Sequence, residues 1–261
     1  MTTTLLRHEL IRTKKPLLII GGIAIVLIVL ADLLALLTGA VGIVFAVLVT
    51  LIVVPAVQLY FVIDFYRSCY GSGAILTHSL PIPGRQLFWT KLLFALLVTV
   101  LASVFATLVL FVQGQFVLEM ANLTLAQVYQ EVQQVFRQLS GLGPLVVMSV
   151  LWVVVMPLAS MYSSVVIGSG GWARRLSIGG PIIVFMCYYV LMQLLGFASV
   201  FVPPVFDVVD GRILGTSLWQ SAMGNADTPL LPVSMLIAHV VVIAALLVWA
   251  SRDMQHKVEL R

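Results

Sequence analysis

The sequence predicts an all-α fold: a polytopic membrane protein with six transmembrane helices. Three observations carry that prediction. The 261 residues are 61% hydrophobic and only 9% charged, where soluble domains carry about 25% charged residues. The mean hydropathy is +1.14. Six apolar stretches are each long enough to cross a hydrocarbon core ~30 Å thick, which takes roughly 20 helical residues. Strands of an outer-membrane barrel would be about 10 residues long with alternating polarity; these runs are longer and uniformly apolar.

The expected spans are residues 16–38, 41–63, 87–112, 144–168, 178–202 and 230–250, within a single transmembrane domain covering 1–261. Before span 1, residues 2–15 place Leu5, Leu6, Leu10 and Ile11 among cations. That pattern predicts an N-terminal amphipathic elbow helix on the membrane surface. The segment is too polar for a signal peptide and runs into a full-length span rather than a short apolar region with a cleavage site. Span 1 carries an acid, Asp32, and span 6 a histidine, His239. Ionisable groups at membrane depth are candidate pathway residues; their plainer reading is a snorkelling or hydrogen-bonded group that serves packing.

Between spans 3 and 4, Leu125, Val128, Val132, Val135, Phe136 and Leu139 approach helical spacing and predict an external amphipathic helix. Span 4 holds Pro157 and the small residues Ser160, Ser163, Ser164 and Gly168, a spacing that suits close helix packing. Pro181 opens span 5. Residues 203–229 read as a loop with Pro203-Pro204 and Trp219. Five methionines in spans 4 and 5 (Met148, Met156, Met161, Met186, Met192) suit either an adaptable apolar pocket or lipid-facing filler.

Charge placement gives an orientation. With both termini cytoplasmic (N-in, C-in), the inner segments hold 12 of the 14 Lys and Arg residues, and the outer ones hold 2, Arg137 and Arg212. Glu119, Glu131, Asp207, Asp210 and Asp227 lie on the outer side. This is the positive-inside pattern of a multi-pass protein in a cell (plasma) membrane.

Catalytic motifs are absent. No Gly-x-x-x-x-Gly-Lys-Ser/Thr, His-Glu-x-x-His or Gly-x-Ser-x-Gly occurs. The four histidines, His8, His78, His239 and His256, are scattered, and Cys69 and Cys187 form no metal or redox spacing. The expectation is a chain with no catalytic, cofactor or metal site of its own and no nucleic-acid partner. Asn122-Leu-Thr124 matches a glycosylation triplet that chance alone produces often.

The polar interruption from Arg67 to Arg85 lies between spans 2 and 3. Tyr66 and Tyr70 suit the membrane interface. Gly71-Ser72-Gly73 breaks the helix, and residues 74–80 can form a short turn with Leu76 and Leu80 on one face. Pro81 and Pro83 stop it. A short amphipathic helix held between breaks can dock in a groove of another protein. The residues Tyr70-Gly71, Leu76-Thr77, Leu80-Pro81, Gln86-Leu87 and Lys91 resemble the loop pattern of membrane (permease) subunits of type-2 ABC transporters, in particular small six-span bacterial exporters. The match covers about 22 residues, and the six-span plan and basic N-terminal segment extend it to the whole chain. Pro83-Gly84 departs from the pattern, where relatives carry a small polar and a basic residue. The resemblance implies that Tyr70, Gly71, Leu76, Thr77, Leu80, Pro81 and Arg85 form a coupling helix docked on a separate ATPase. ATP and Mg would be bound by two such ATPase subunits. A second permease subunit, identical or homologous, would complete a dimeric pathway in the bilayer for an amphipathic peptide, antibiotic or lipid-like compound. The alternative is a non-transporting sensor or immunity subunit using the same loop to bind an ATPase or kinase. A secondary transporter would need paired intramembrane charges, for which only Asp32 and His239 offer themselves.

Overall fold

A computed structural model describes residues 2–71, 83–120, 130, 148–170, 176–224 and 229–256. It contains six helices long and apolar enough to cross a membrane, and the protein is a multi-pass membrane protein. The chain divides into two compact units, residues 1–129 with 260–261, and residues 130–259.

The first unit is an up-down-up bundle of α1 (Thr2–Thr38), α2 (Ala40–Cys69) and α3 (Gly84–Met120). No separate elbow helix forms before span 1. Residues 2–15 are the first turns of α1, which runs through Pro16 without a break. The same polar segment that suggested a surface helix therefore extends the transmembrane one. At 37 residues each, α1 and α3 are about 55 Å long at 1.5 Å per residue, well beyond a ~30 Å core. A single residue, Gly39, joins α1 to α2. Its φ of 66° and ψ of −132° lie where a side chain is disfavoured, and the turn bonds back through Gly39 N to the Ala35 carbonyl at 2.9 Å. An aromatic seam joins α2 to α3. Phe61 meets Phe94 edge-on at 5.7 Å and Phe65 meets Phe88 at 6.1 Å.

The second unit contains a π turn (Leu151–Val155) leading into α4 (Met156–Gly168), then α5 (Gly179–Ser199), strands β1 (Val205–Asp207) and β2 (Arg212–Leu214), the short α6 (Leu218–Met223), strand β3 (Leu230–Pro232) and α7 (Val233–His256). Pro157 explains the π turn. Proline has no amide and its ring crowds the carbonyl four residues back. The turn before it widens, and Met156 N bonds to Leu151 O five residues back. The core of this unit is Met156, Ala159 and Ile243, with Tyr188 and Leu247 packed against them.

Three short strands add a small sheet to a chain that is otherwise mostly helical. Order β2-β1-β3 makes a small antiparallel sheet, with Phe206 opposite Ile213 on one side and Leu231 on the other. Val205 and Phe206 are strand formers. Asp207 Oδ1 accepts from Val209 N and Asp210 N at 2.9 and 3.2 Å, and Gly211 turns with φ 66°. Span boundaries shift for related reasons. Helix α5 stops at Ser199, ahead of Pro203-Pro204, and closes with tight bonds such as Phe201 N to Ala198 O at 3.1 Å. Residues 230–232 belong to β3, so the last helix starts at Val233 and runs past residue 250. The helix expected at 123–139, apart from Gln130, and residues 144–147 lie outside the described residues.

Span 4 uses its small residues for packing. A Cβ on Gly168 would collide with the Gly180 and Pro181 backbone of α5. Ser163 and Ser164 donate to the carbonyls of Ala159 and Ser160 at 2.8 Å, which leaves their hydroxyls satisfied inside the helix. Gly168→Ala is expected to destabilise the protein by about 1–3 kcal/mol, the usual cost of overpacking. Gly114→Ala, where a Cβ would meet nothing within 4 Å, is expected to be neutral or slightly stabilising. Thermal unfolding of the two variants in detergent micelles checks the contrast.

Candidate functional site

The segment from Arg67 to Arg85 begins and ends on the first unit. Helix α2 ends at Cys69, and both Tyr70 N and Gly71 N bond to the Tyr66 carbonyl, at 2.8 and 3.0 Å. A Cβ on Gly71 would lie 2.9 Å from the Arg67 carbonyl oxygen, so the chain leaves the helix where only glycine fits closely. Tyr66 and Tyr70 stack with centroids 6.5 Å apart. On the far side, Gly84 opens α3 and Arg85 is exposed in its first turn. Leu76, Thr77, Leu80 and Pro81 lie outside the described residues.

Directly on this end of the bundle sits a cluster of four charges that the sequence reading did not assemble. The Glu9 carboxylate of α1 accepts from Lys91 Nζ of α3 at 2.7 Å through one oxygen, and from Arg12 Nη2 at 2.7 Å through the other. Arg12 also pairs with Asp64 of α2. Lys91 is only 5% exposed. A buried ammonium costs several kcal/mol unless it is paired, and here both carboxylates and both cations are used. The cluster ties all three helices together at the ends from which the loop departs. Thr13 adds a bond to the Glu9 carbonyl at 2.8 Å. The available signal was that Glu9, Asp64 and Lys91 stand at matching ends of three antiparallel helices.

A second polar cluster lies at the other end of the same unit. Gln113 Nε2 of α3 donates to Asp32 Oδ1 of α1 at 2.8 Å and to Thr50 Oγ1 of α2 at 3.0 Å. Thr50 itself donates to the Ala46 carbonyl at 3.0 Å. Asp32 thus has a partner on span 3. Gln113 escaped the sequence reading because the span was ended at residue 112. Arg12 and Asp32 are 20 residues apart on one helix, which is about 30 Å, the thickness of the hydrocarbon core.

His239 belongs to the second unit. It is buried on α7, with Nδ1 3.3 Å from the Met235 carbonyl of its own helix and its ring 4.2 Å from that of Trp152. Its backbone partner is on the same helix, rather than across helices. The structure brings Asp32 together with Gln113 and Thr50 and gives His239 an aromatic neighbour. Cys69 is buried and Cys187 exposed, and neither forms a disulfide. Among the described residues, no three His, Cys, Asp or Glu side chains gather as metal ligands would.

Lys91→Met is expected to destabilise the first unit by about 1–3 kcal/mol, because it leaves one oxygen of the Glu9 carboxylate without its cation while Arg12 still holds the other. The double variant Lys91→Met/Glu9→Leu removes both charges and is expected to recover most of that loss. Unfolding midpoints of the two singles and the double in micelles provide the cycle. Comparison of the chain with protein-family models, curated proteins and solved structures gives no match.

Proposed function

We propose that the chain is the permease subunit of an ATP-binding cassette exporter, driven by a separate ATPase that docks on the loop between α2 and α3. The observation that carries the reading is the pairing of two features. One is the loop pattern Tyr70-Gly71, Leu76-Thr77, Leu80-Pro81, Gln86-Leu87, Lys91. The other is the ion cluster on which its ends stand, in which Lys91 of that pattern is the buried cation held by Glu9. A docked segment transmits force only if its ends are anchored. Here a push on Gly71 or Arg85 acts on α1, α2 and α3 together, because Glu9, Arg12, Asp64 and Lys91 bind them to one another.

In this reading the loop and both termini are cytoplasmic, as the 12-to-2 division of cations supports. ATP hydrolysis belongs to the partner chain, and this chain does no covalent chemistry. A second permease, identical or homologous, and two ATPase subunits complete the assembly. Substrates are amphipathic molecules that leave between permeases, with exit from the plasma membrane as the direction of transport.

Purification of the tagged chain, co-expressed with the ATPase encoded beside it, tests the proposal. The ATPase is expected to co-purify. Leu80→Asp, which places a charge on the apolar face of the loop, is expected to weaken the complex by about 2 kcal/mol or more, as loss of an interface anchor does. Arg85→Glu is expected to weaken it less. Recovery of no ATP-binding protein, together with an unchanged Leu80→Asp variant, refutes the reading.

A further inference from the structure

The two acidic centres of the first unit are treated very differently. Glu9 has a cation on each carboxylate oxygen. Asp32 has none. Among the described residues, the bond from Gln113 is the sole hydrogen bond or ion pair at its side chain. A carboxylate in a membrane span costs up to about 3 kcal/mol on insertion scales, the full amount at the helix centre and less towards the interface, and an opposite charge beside it offsets that cost.

There is room for that charge. A cavity of about 270 Å³ is lined by Asp32 and Gln113 together with Ala35, Leu36, Gly39, Ile43, Ala46 and Phe116. Its polar side chains are the Asp32 carboxylate and the Gln113 amide; the other lining side chains are apolar, and Gly39 contributes backbone alone. Gln113 is buried and already committed to Thr50 and Asp32, so it fixes the carboxylate and leaves the second oxygen, Oδ2, for a ligand. Leu36 is 67% exposed at the rim, which opens the cavity towards the apolar surface of the bundle. The volume falls just below the about 300–1,000 Å³ typical of ligand pockets. It therefore admits a head group and leaves an attached chain outside. A divalent metal is a poor fit, since Ca²⁺ takes about 6–8 oxygen ligands and one carboxylate with one amide cannot supply them. The spacing of about 30 Å along α1 from the ion cluster places the cavity at the edge of the hydrocarbon core, where amphiphiles hold their heads.

We infer that this cavity binds the single ammonium head of an amphiphile, with Asp32 as counter-ion and the alkyl chain lying along the apolar surface beside Leu36. The site is built from α1, α2 and α3 alone and does not depend on an ATPase, so it stands or falls separately from the coupling role of the loop.

The test uses the full chain in dodecyl maltoside micelles and radiolabelled dodecylamine, with empty micelles as the blank. Saturable binding above the blank is expected, and dodecanol, with the same chain and no charge, is expected to show none. Asp32→Asn keeps the size of the side chain and an oxygen for Gln113, and is expected to weaken amine binding at least about tenfold, the scale of one charge-assisted hydrogen bond. Ala35→Leu fills the cavity and leaves the carboxylate in place; it is expected to weaken binding likewise, and a folded protein is verified by its unfolding midpoint. Added phosphatidylethanolamine separates the sources: displacement of dodecylamine identifies a membrane lipid's ammonium as the occupant, and no displacement identifies a free amphiphile. Amine binding no stronger than dodecanol binding, or binding unchanged in both folded variants, overturns the inference.

Discussion

The Glu9 carboxylate, clasped between Lys91 and Arg12, is the interaction on which the first unit depends. Apolar side chains gain little by leaving lipid for a neighbouring helix, because the two environments are almost equally apolar. Residues such as Leu18, Ile19 and Leu37, all strongly exposed, hold α1 in the membrane without fixing where it sits against α2 and α3. A charge network does fix it. Sliding α1 by one turn, about 5.4 Å, would pull Glu9 from Lys91 and Arg12 from Asp64 at once, and strand a cation that is almost fully buried. The aromatic seam of Phe61, Phe65, Phe88 and Phe94 then packs in the register that the charges have set.

The second unit reaches a defined arrangement by shape instead. Gly168 lets α4 approach the start of α5 so closely that any side chain would be excluded. The serines of α4 return their hydroxyls to their own helix and present a smooth surface. The π turn at Leu151–Val155 absorbs the proline that follows it, and such turns re-aim the side chains of a helix. Buried polar groups cost stability unless each has a partner, so a unit held by close backbone contact is spared the matched set of charges that the first unit needs.

Much of this was legible in the sequence, for physical reasons that also explain the gaps. Hydrocarbon thickness imposes a length on every span, so all six helices could be read from apolar runs alone. Their ends could not. Helix propagation does not stop where lipid stops, and residues 2–15, 64–69 and 113–120 are helical beyond the expected spans. That difference hid the two polar clusters. Glu9, Asp64 and Gln113 fell in segments read as outside the membrane, where a polar side chain needs no explanation. Asp32 stood out because it lay inside a span, and its partner did not because it lay one residue past one. The sheet was missed for a different reason: Val205–Asp207 and Arg212–Leu214 are three residues each, too short for alternation to register, although Asp210-Gly211 is a turn signal.

The two clusters together give the first unit a polar layer towards each end and about 20–30 Å of mostly apolar helix between them. A bundle tied at both ends moves as a body, because bending it between the ties would break packing without relieving either. In the first layer every charge is paired, so that end is electrically closed and suited to bearing load. In the second, one carboxylate faces a cavity with no cation beside it, so that end is electrically open. Occupying the cavity would supply the charge that the first layer already possesses, and would tighten α1 against α3 through the same Gln113 that holds Asp32 now. The end that carries the loop and the end that carries the cavity are joined by continuous helix, so a change of tension at one has a direct mechanical route to the other.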